Sequence, residues 1–216
     1  MNSQDKKYAI AASVLAFGIL ILASVFFVFS GLFSDCFGKK AKAQTVFLSP
    51  STQYLNLYRD GTTTEGDSMN VIADRLEAMF PEDFTIYRNN SEGTLADAIE
   101  LSNSLNTEIH VAIHSNASGT GEGGVRGCEI WIPRGHRESR TLAKAVYRHL
   151  EKLTPVEDRG LKETESLAEL VKVNCTRILI EVDFHDDEDG CEWIKSHYDE
   201  IAQAIYDGIC DYYGLK

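Results

Sequence analysis

The chain has 216 residues, 44% hydrophobic and 25% charged, with only 4 Pro. That composition excludes a disordered chain and a proline-rich scaffold. Residues 1–43 hold five Lys and two Asp, which leaves 16 Lys and Arg against 31 Asp and Glu beyond them, a net charge of −15. A body that acidic repels phosphate backbones, so nucleic acid is a poor partner, and its length suits one domain with its own core.

Residues 8–34 carry no charge and are rich in Leu, Ile, Val, Phe and Ala. About 20 such residues already cross a bilayer core of roughly 30 Å. The division expected is a cytoplasmic tail at 1–7, a transmembrane signal anchor at 8–34, a linker at 35–44 and a catalytic domain at 45–214. Lys6 and Lys7 precede the run and Lys39, Lys40 and Lys42 follow it, so flanking charge does not decide its orientation. Ala41-Lys42-Ala43 matches a signal-cleavage pattern, but the run is long for a signal peptide, which favours an uncleaved anchor. Either way the acidic body is expected outside the cytoplasm: membrane-held, or secreted if cleaved after Ala43. The cysteines Cys128, Cys175, Cys191 and Cys210 show no metal-like spacing and read as buried free thiols.

Beyond residue 44 the predicted elements alternate strand and helix, which argues for an α/β fold with a largely parallel sheet. Residues 45–48 form a short apolar strand, followed by a polar loop to Asp67. Ser68 is read as the cap of a helix carrying Met69, Ile72, Leu76 and Phe80 on one face. Residues 84–88 alternate as a strand. Thr94 and Asp97 have the spacing of a capping box and open the next helix. Residues 108–115 form a strand with Ile109, Val111 and Ile113 on one side. The glycine-rich stretch 119–124 is a loop, and no Gly-Lys-Ser/Thr follows it to make a phosphate site. A strand at 128–132, a helix at 138–153, a strand at 177–184 and one long helix at 192–213 complete the chain.

Three polar residues stand out. His114 closes a strand, and ligands in open α/β sheets sit beyond the carboxyl ends of strands. Glu181 interrupts the apolar run Ile178-Leu179-Ile180-Glu181-Val182, and a carboxylate buried there needs a cation, a metal or a hydrogen-bond donor. Glu65 lies in the loop before the first helix. The topology puts all three on one edge of one sheet, and an imidazole with two carboxylates suits a hydrolytic zinc site. Each also has a plain structural reading: a satisfied histidine, an internal ion pair, a solvated loop acid. His110 lies about 13 Å along the strand from His114, too far to share one metal. Glu163, Glu165 and Glu169 read as a solvated face.

The ordered set Ser49-Pro50-Ser51-Thr52-Gln53, Asn56, Glu65, Met69-Asn70, Ser102-Asn103, Ala112-Ile113-His114-Ser115-Asn116-Ala117, Arg159-Gly160, Leu179-Ile180-Glu181-Val182 and Phe184-His185-Asp186 resembles the catalytic domain of N-acetylmuramoyl-L-alanine amidases of the amidase_3 type. The opening Ser-Pro-Ser-Thr-Gln is similar to a clostridial branch. The resemblance covers roughly 46–213. It implies a single α/β domain whose mixed six-stranded sheet is flanked by helices, zinc held by Glu65 and His114, and Glu181 as the catalytic carboxylate. Most members begin with Asp-Pro-Gly-His-Gly and use its His as the remaining ligand. This chain has no His there, so Gln53 or His185 is the candidate third group. Asn116 and Arg159 are the candidate substrate-binding residues.

The function expected is zinc-assisted hydrolysis of the amide between the lactyl group of N-acetylmuramic acid and L-alanine, with peptidoglycan as partner. Two rival readings remain: a membrane-anchored wall-binding protein whose degenerate first motif has ended catalysis, and a different exported metallohydrolase such as a carboxypeptidase. The sequence leaves the oligomeric state open.

Overall fold

A computed structural model of the chain describes residues 44–119, 123–156 and 159–215. They lie in one compact unit. The expected tail, anchor and most of the linker fall outside the described residues. Among those described, no helix is long and apolar enough to cross a membrane.

The element order is β1 (Gln44–Pro50), α1 (Glu65–Glu77), β2 (Phe84–Arg88), α2 (Leu95–Leu105), β3 (Ile109–Asn116), β4 (Glu129–Pro133), α3 (Arg137–Leu153), β5 (Leu161–Thr164), α4 (Ala168–Lys172), β6 (Thr176–Phe184), α5 (Glu188–Ser196) and α6 (Tyr198–Tyr213). One six-stranded sheet has the order β2-β1-β3-β6-β4-β5. Neighbours pair parallel except β4 and β6, which run antiparallel. The mixed six-stranded α/β domain expected from the sequence is therefore present.

Strand alternation sorts side chains between two unequal cores. Val46, Leu48, Val111, Ile113, Ile178 and Ile180 face the main core, which α1, α3 and α6 cover. α3 and α6 meet backbone to backbone: a Cβ on Gly208 would sit 2.3 Å from Val146 Cα. The opposite face carries a small cluster of Ala112, Leu170 and Leu179, with Trp131 and Leu167 against it. His110, Ala112 and His114 alternate onto this second face, so the polar residues lie on the thinner side of the sheet.

Three local expectations need correction. α1 starts at Glu65, not after Ser68, because Thr64 is the cap and accepts from the Asp67 amide at 3.1 Å. The single helix expected at 192–213 is two, α5 and α6. Ser196 Oγ and His197 Nδ1 both bond back to the Trp193 carbonyl, at 3.1 and 2.8 Å, and His197 leaves helical geometry at φ −127°, ψ 27°. β5 and α4 were not predicted. β5 is a four-residue edge strand carrying Lys162 and Glu163, and α4 is a five-residue turn of helix; both are too short for a periodic signal. The capping box at Thr94 and Asp97 is present in full.

Candidate active site

Three elements bring the polar residues together at the carboxyl end of β3. The loop after β1 is tied to the start of α1: the Glu65 amide donates to the Asn56 carbonyl at 2.9 Å and the Gly66 amide to the Gln53 carbonyl at 3.2 Å. A Cβ on Gly66 would lie 2.7 Å from the Tyr54 ring, so a side chain here would displace that ring. Glu65, the first residue of α1, is thereby turned inward and is 1% exposed. Its Oε1 meets His114 Nδ1 at 2.8 Å. Asn56 Nδ2 donates to Glu65 Oε2 at 2.9 Å and to Gln53 Oε1 at 2.8 Å. Gln53 Nε2 lies 3.4 Å from Glu65 Oε1.

On the other side of His114, β6 contributes Glu181, its direct register partner. The next strand contributes Glu129, the register partner of Glu181. His114, Glu181 and Glu129 thus form a row across three strands on one face. Among the described residues Glu181 Oε2 is buried without a hydrogen-bond partner. Burial, the opposing pull of His114, and the nearby carboxylates of Glu65 and Glu129 leave its carboxyl raised to about 8.

Behind His114 lies Glu169, from α4, only 2% exposed. Its Oε1 meets His110 Nε2 at 2.8 Å and its Oε2 lies 3.7 Å from His114 Nε2. His110 in turn meets Ser102 Oγ through Nδ1 at 2.9 Å. Against its own burial, the Glu169 carboxyl is held well below the usual range by these two imidazoles. His114 is pushed the other way: burial opposes its charge, but the Glu169 and Glu65 carboxylates outweigh burial and raise it well above an ordinary histidine. The Glu65 carboxyl is lowered despite burial, by His114, Asn56 and Ser51.

Among the described residues no group of three or more His, Cys, Asp or Glu is arranged to hold a metal. The donors that do converge are the Glu65 carboxylate, the His114 imidazole and the Gln53 amide. The unpartnered Glu181 oxygen lies beside them, and His114 supplies the positive charge between the surrounding carboxylates. Glu65 and His114 are ligand types that zinc takes, but Gln53 turns its Nε2 toward Glu65 and its Oε1 toward Asn56, so among the described residues the third protein ligand of a usual zinc site is not supplied.

A family model, N-acetylmuramoyl-L-alanine amidase, matches residues 54–211. The chain belongs to the N-acetylmuramoyl-L-alanine amidase family. Hydrolysis of cell-wall peptidoglycan is the family's activity. Among solved structures, an N-acetylmuramoyl-L-alanine amidase from Clostridium difficile 630 superposes with a TM-score of 0.74 at 24% identity, over 82% of this chain and 100% of its own. The CwlD amidase from Clostridioides difficile, solved in complex with the GerS lipoprotein, gives 0.72 at 21%, covering 80% and 100%. The catalytic domain of CwlV from Bacillus (Paenibacillus) polymyxa var. colistinus gives 0.72 at 18%, covering 80% and 99%. A search of curated proteins finds no match.

Elsewhere in the amidase domain, the two expected substrate-binding residues converge on Glu129. Asn116 Nδ2 donates to Glu129 Oε1 at 3.0 Å and Arg159 Nε to Oε2 at 2.6 Å. Lys162 Nζ lies 2.9 Å from the same Oε2, and Trp131 Nε1 donates to Oε1 at 2.9 Å. Arg159 also sits 4.9 Å over the Phe184 ring and stays about one-third exposed. These groups hold Glu129 ionised next to Glu181, and Arg159 keeps a face toward solvent.

The structure does not bring His185 to Glu65 and His114. Ser115 alternates to the face of β3 opposite His114, and His185 Nδ1 bonds to Ser115 Oγ and O at 2.9 and 3.0 Å. The His185 ring also stacks on Tyr58 at 4.9 Å and 1°. Of the two candidate third groups, only Gln53 reaches the Glu65–His114 pair. The reading of Glu169 as a solvated acid is corrected by its burial between two imidazoles. Glu163 and Glu165 do lie outside, paired with Arg140 and Arg134. Glu169 was missed because α4 has too few residues to show which face is buried. Glu129 could have been found: it is an acid opening an apolar strand, Glu129-Ile130-Trp131-Ile132, much as Glu181 interrupts one.

Proposed function

We propose that the domain is a zinc-assisted peptidoglycan amidase that cleaves the bond between the lactyl group of N-acetylmuramic acid and L-alanine. The observation that carries this reading is the meeting of Glu65 Oε1 and His114 Nδ1 at 2.8 Å beside an unpartnered Glu181 oxygen, in a chain of the amidase family. Glu65 and His114 would hold the metal, with Gln53 or water completing its shell. Bound zinc supplies polarisation of the scissile carbonyl and activation of water. Glu181 does the proton work. A carboxyl that titrates near neutrality takes a proton from water and returns it to the leaving amine. Glu129 stays ionised under Arg159, Lys162 and Asn116, so the two neighbouring acids divide into one that carries protons and one that stays charged.

In this reading residues 8–34 anchor the chain and the domain works on the outer side of the membrane, where the substrate lies. The absence of His from Ser49-Pro50-Ser51-Thr52-Gln53 favours the rival in which the domain only binds wall fragments. Product analysis separates the two. The zinc-loaded chain should release free stem peptides with a new L-alanine amine from purified muropeptides. Zinc-loaded protein that binds muropeptides and leaves them intact would establish the rival.

A further inference from the structure

We propose that Arg159 and Lys162 form a carboxylate subsite at the edge of the sheet. It takes the free carboxylate of the second residue of the stem peptide and selects such peptides over their carboxamide forms. The inference rests on the amidase reading above and adds to it the class of substrate. It starts from a charge imbalance. Glu129 is 2% exposed and accepts from four donors: Asn116 and Trp131 at Oε1, Arg159 and Lys162 at Oε2. One cation neutralises one carboxylate. Here two cations meet at one oxygen while two neutral donors fill the other. Among the described residues the other acids at this edge do not absorb the surplus, because Glu163 pairs with Arg140 and Glu165 with Arg134.

Both cations keep an open side, with Arg159 32% and Lys162 31% exposed. Arg159 bonds Glu129 through Nε, and among the described residues its two terminal nitrogens have no hydrogen-bond partner. Those two nitrogens are the fork that grips a carboxylate bidentately. The Phe184 ring, 4.9 Å away, backs the guanidinium, and the Trp131 ring lies 5.6 Å from Lys162 Nζ. A lysine on an edge strand often serves only to deter pairing with another chain, its charge held out in water. Lys162 is turned otherwise. It is the register partner of Trp131, and Trp131 of Leu179, one rank along the same face from the row of Glu129, Glu181 and His114. Its ammonium reaches back over that face to Glu129.

Distance and charge define the ligand. Strands lie about 4.8 Å apart, so cations on β5 and against Glu129 of β4 stand one to two intervals from Glu181, roughly 5–10 Å. Two residues of extended peptide span about 7 Å. A group on the second residue beyond the cleaved bond therefore falls beside them. Residues beyond 43 carry a net charge of −15, so an anionic peptide is repelled by the body as a whole and needs a local cation to dock.

The test uses the full-length chain and two synthetic compounds, N-acetylmuramyl-L-alanyl-D-isoglutamyl-L-lysine and its D-isoglutaminyl counterpart, which differ only in carboxylate against carboxamide. Product release gives kcat/KM, and calorimetry on the metal-free chain gives affinity without turnover. The carboxylate compound should be preferred about tenfold or more in both, and the preference should shrink as salt is raised. Lys162→Met and Arg159→Gln each leave Glu129 one cation, and in each the preference should fall toward one; Lys162→Arg should keep it. Equal kcat/KM and equal affinity for the two compounds in wild type would overturn the subsite. So would an unchanged preference in both variants, shown folded by circular dichroism. If wild type cleaves neither compound, the amidase reading fails and the affinity ratio alone decides: a tenfold preference upholds the subsite and equality refutes it.

Discussion

Glu181 stands directly opposite His114 across the β3–β6 pair, yet its Oε2 atom has no hydrogen-bond partner among the described residues. A carboxyl in that position is not a completed half of an ion pair. Burial and the neighbouring carboxylates of Glu65 and Glu129 raise it to about 8 against the pull of His114, and on the proposed function it is the group that exchanges a proton.

Glu181→Gln therefore separates chemistry from stability. The amide keeps the shape but cannot take a proton, so turnover on muropeptides should fall by about 10² or more while zinc stays bound. Melting should not show the roughly 3–5 kcal/mol loss expected when half of a buried ion pair is removed. A large drop in melting with specific activity retained would return Glu181 to a structural role.

His114→Ala should abolish stoichiometric zinc with a modest effect on folding. Glu65 keeps Asn56 as a donor and Glu169 keeps His110, so neither buried acid is stranded. Metal analysis together with a thermal melt checks both halves, and a variant that retains one zinc per chain would refute the ligand assignment.

Gln53→Ala should weaken zinc binding by about tenfold or more, less than the loss of His114, because Gln53 contributes a neutral amide and a tie to Asn56. His185→Ala should leave zinc affinity unchanged, since its ring is engaged by Ser115 and Tyr58. Zinc titrations of the two variants side by side decide this, and the opposite ranking would make His185 a ligand.

Glu129 governs an acid limb of stability. Although burial raises it, Arg159, Lys162 and Trp131 hold its carboxyl below the ordinary glutamate value in the folded state. The unfolded chain therefore binds the proton more readily, so this contribution is present above the usual glutamate range and is lost as pH falls through the lowered folded value. Glu129→Gln should flatten the acid side of a melting-temperature profile. A profile unchanged in slope would show that the Arg159 and Lys162 contacts do not discriminate between the two protonation states.

The sequence carried the frame of the domain well. Strands such as Ile178–Val182 and the amphipathic helix beginning near Glu138 have periods long enough to read, and His114 and Glu181 betray themselves as polar residues in apolar strands. Glu65 was legible only through its place in an ordered family pattern, since a loop acid carries no signal of burial. Glu169 was not legible. Its inward direction comes from five residues of helix packed under β4 and β6, a tertiary fact that no local period encodes. Nor could spacing show that His110 and His114, a full strand segment apart, are bridged by one carboxylate rather than by one metal.

The strand order has a consequence for how the molecule comes into being. β6, sixth in the chain, lies between β3 and β4 in the middle of the sheet. Until residues 176–184 are available, β3 and β4 each present an open edge, and the β4–β5 pair has nothing joining it to β1, β2 and β3. The nucleus that closes this sheet must bring together segments more than 60 residues apart, which makes closure slow and leaves the partial chain exposed to misassociation. Assembly thus waits for nearly the whole domain to be synthesised, and the same final strand that seals the sheet delivers Glu181 to its place opposite His114.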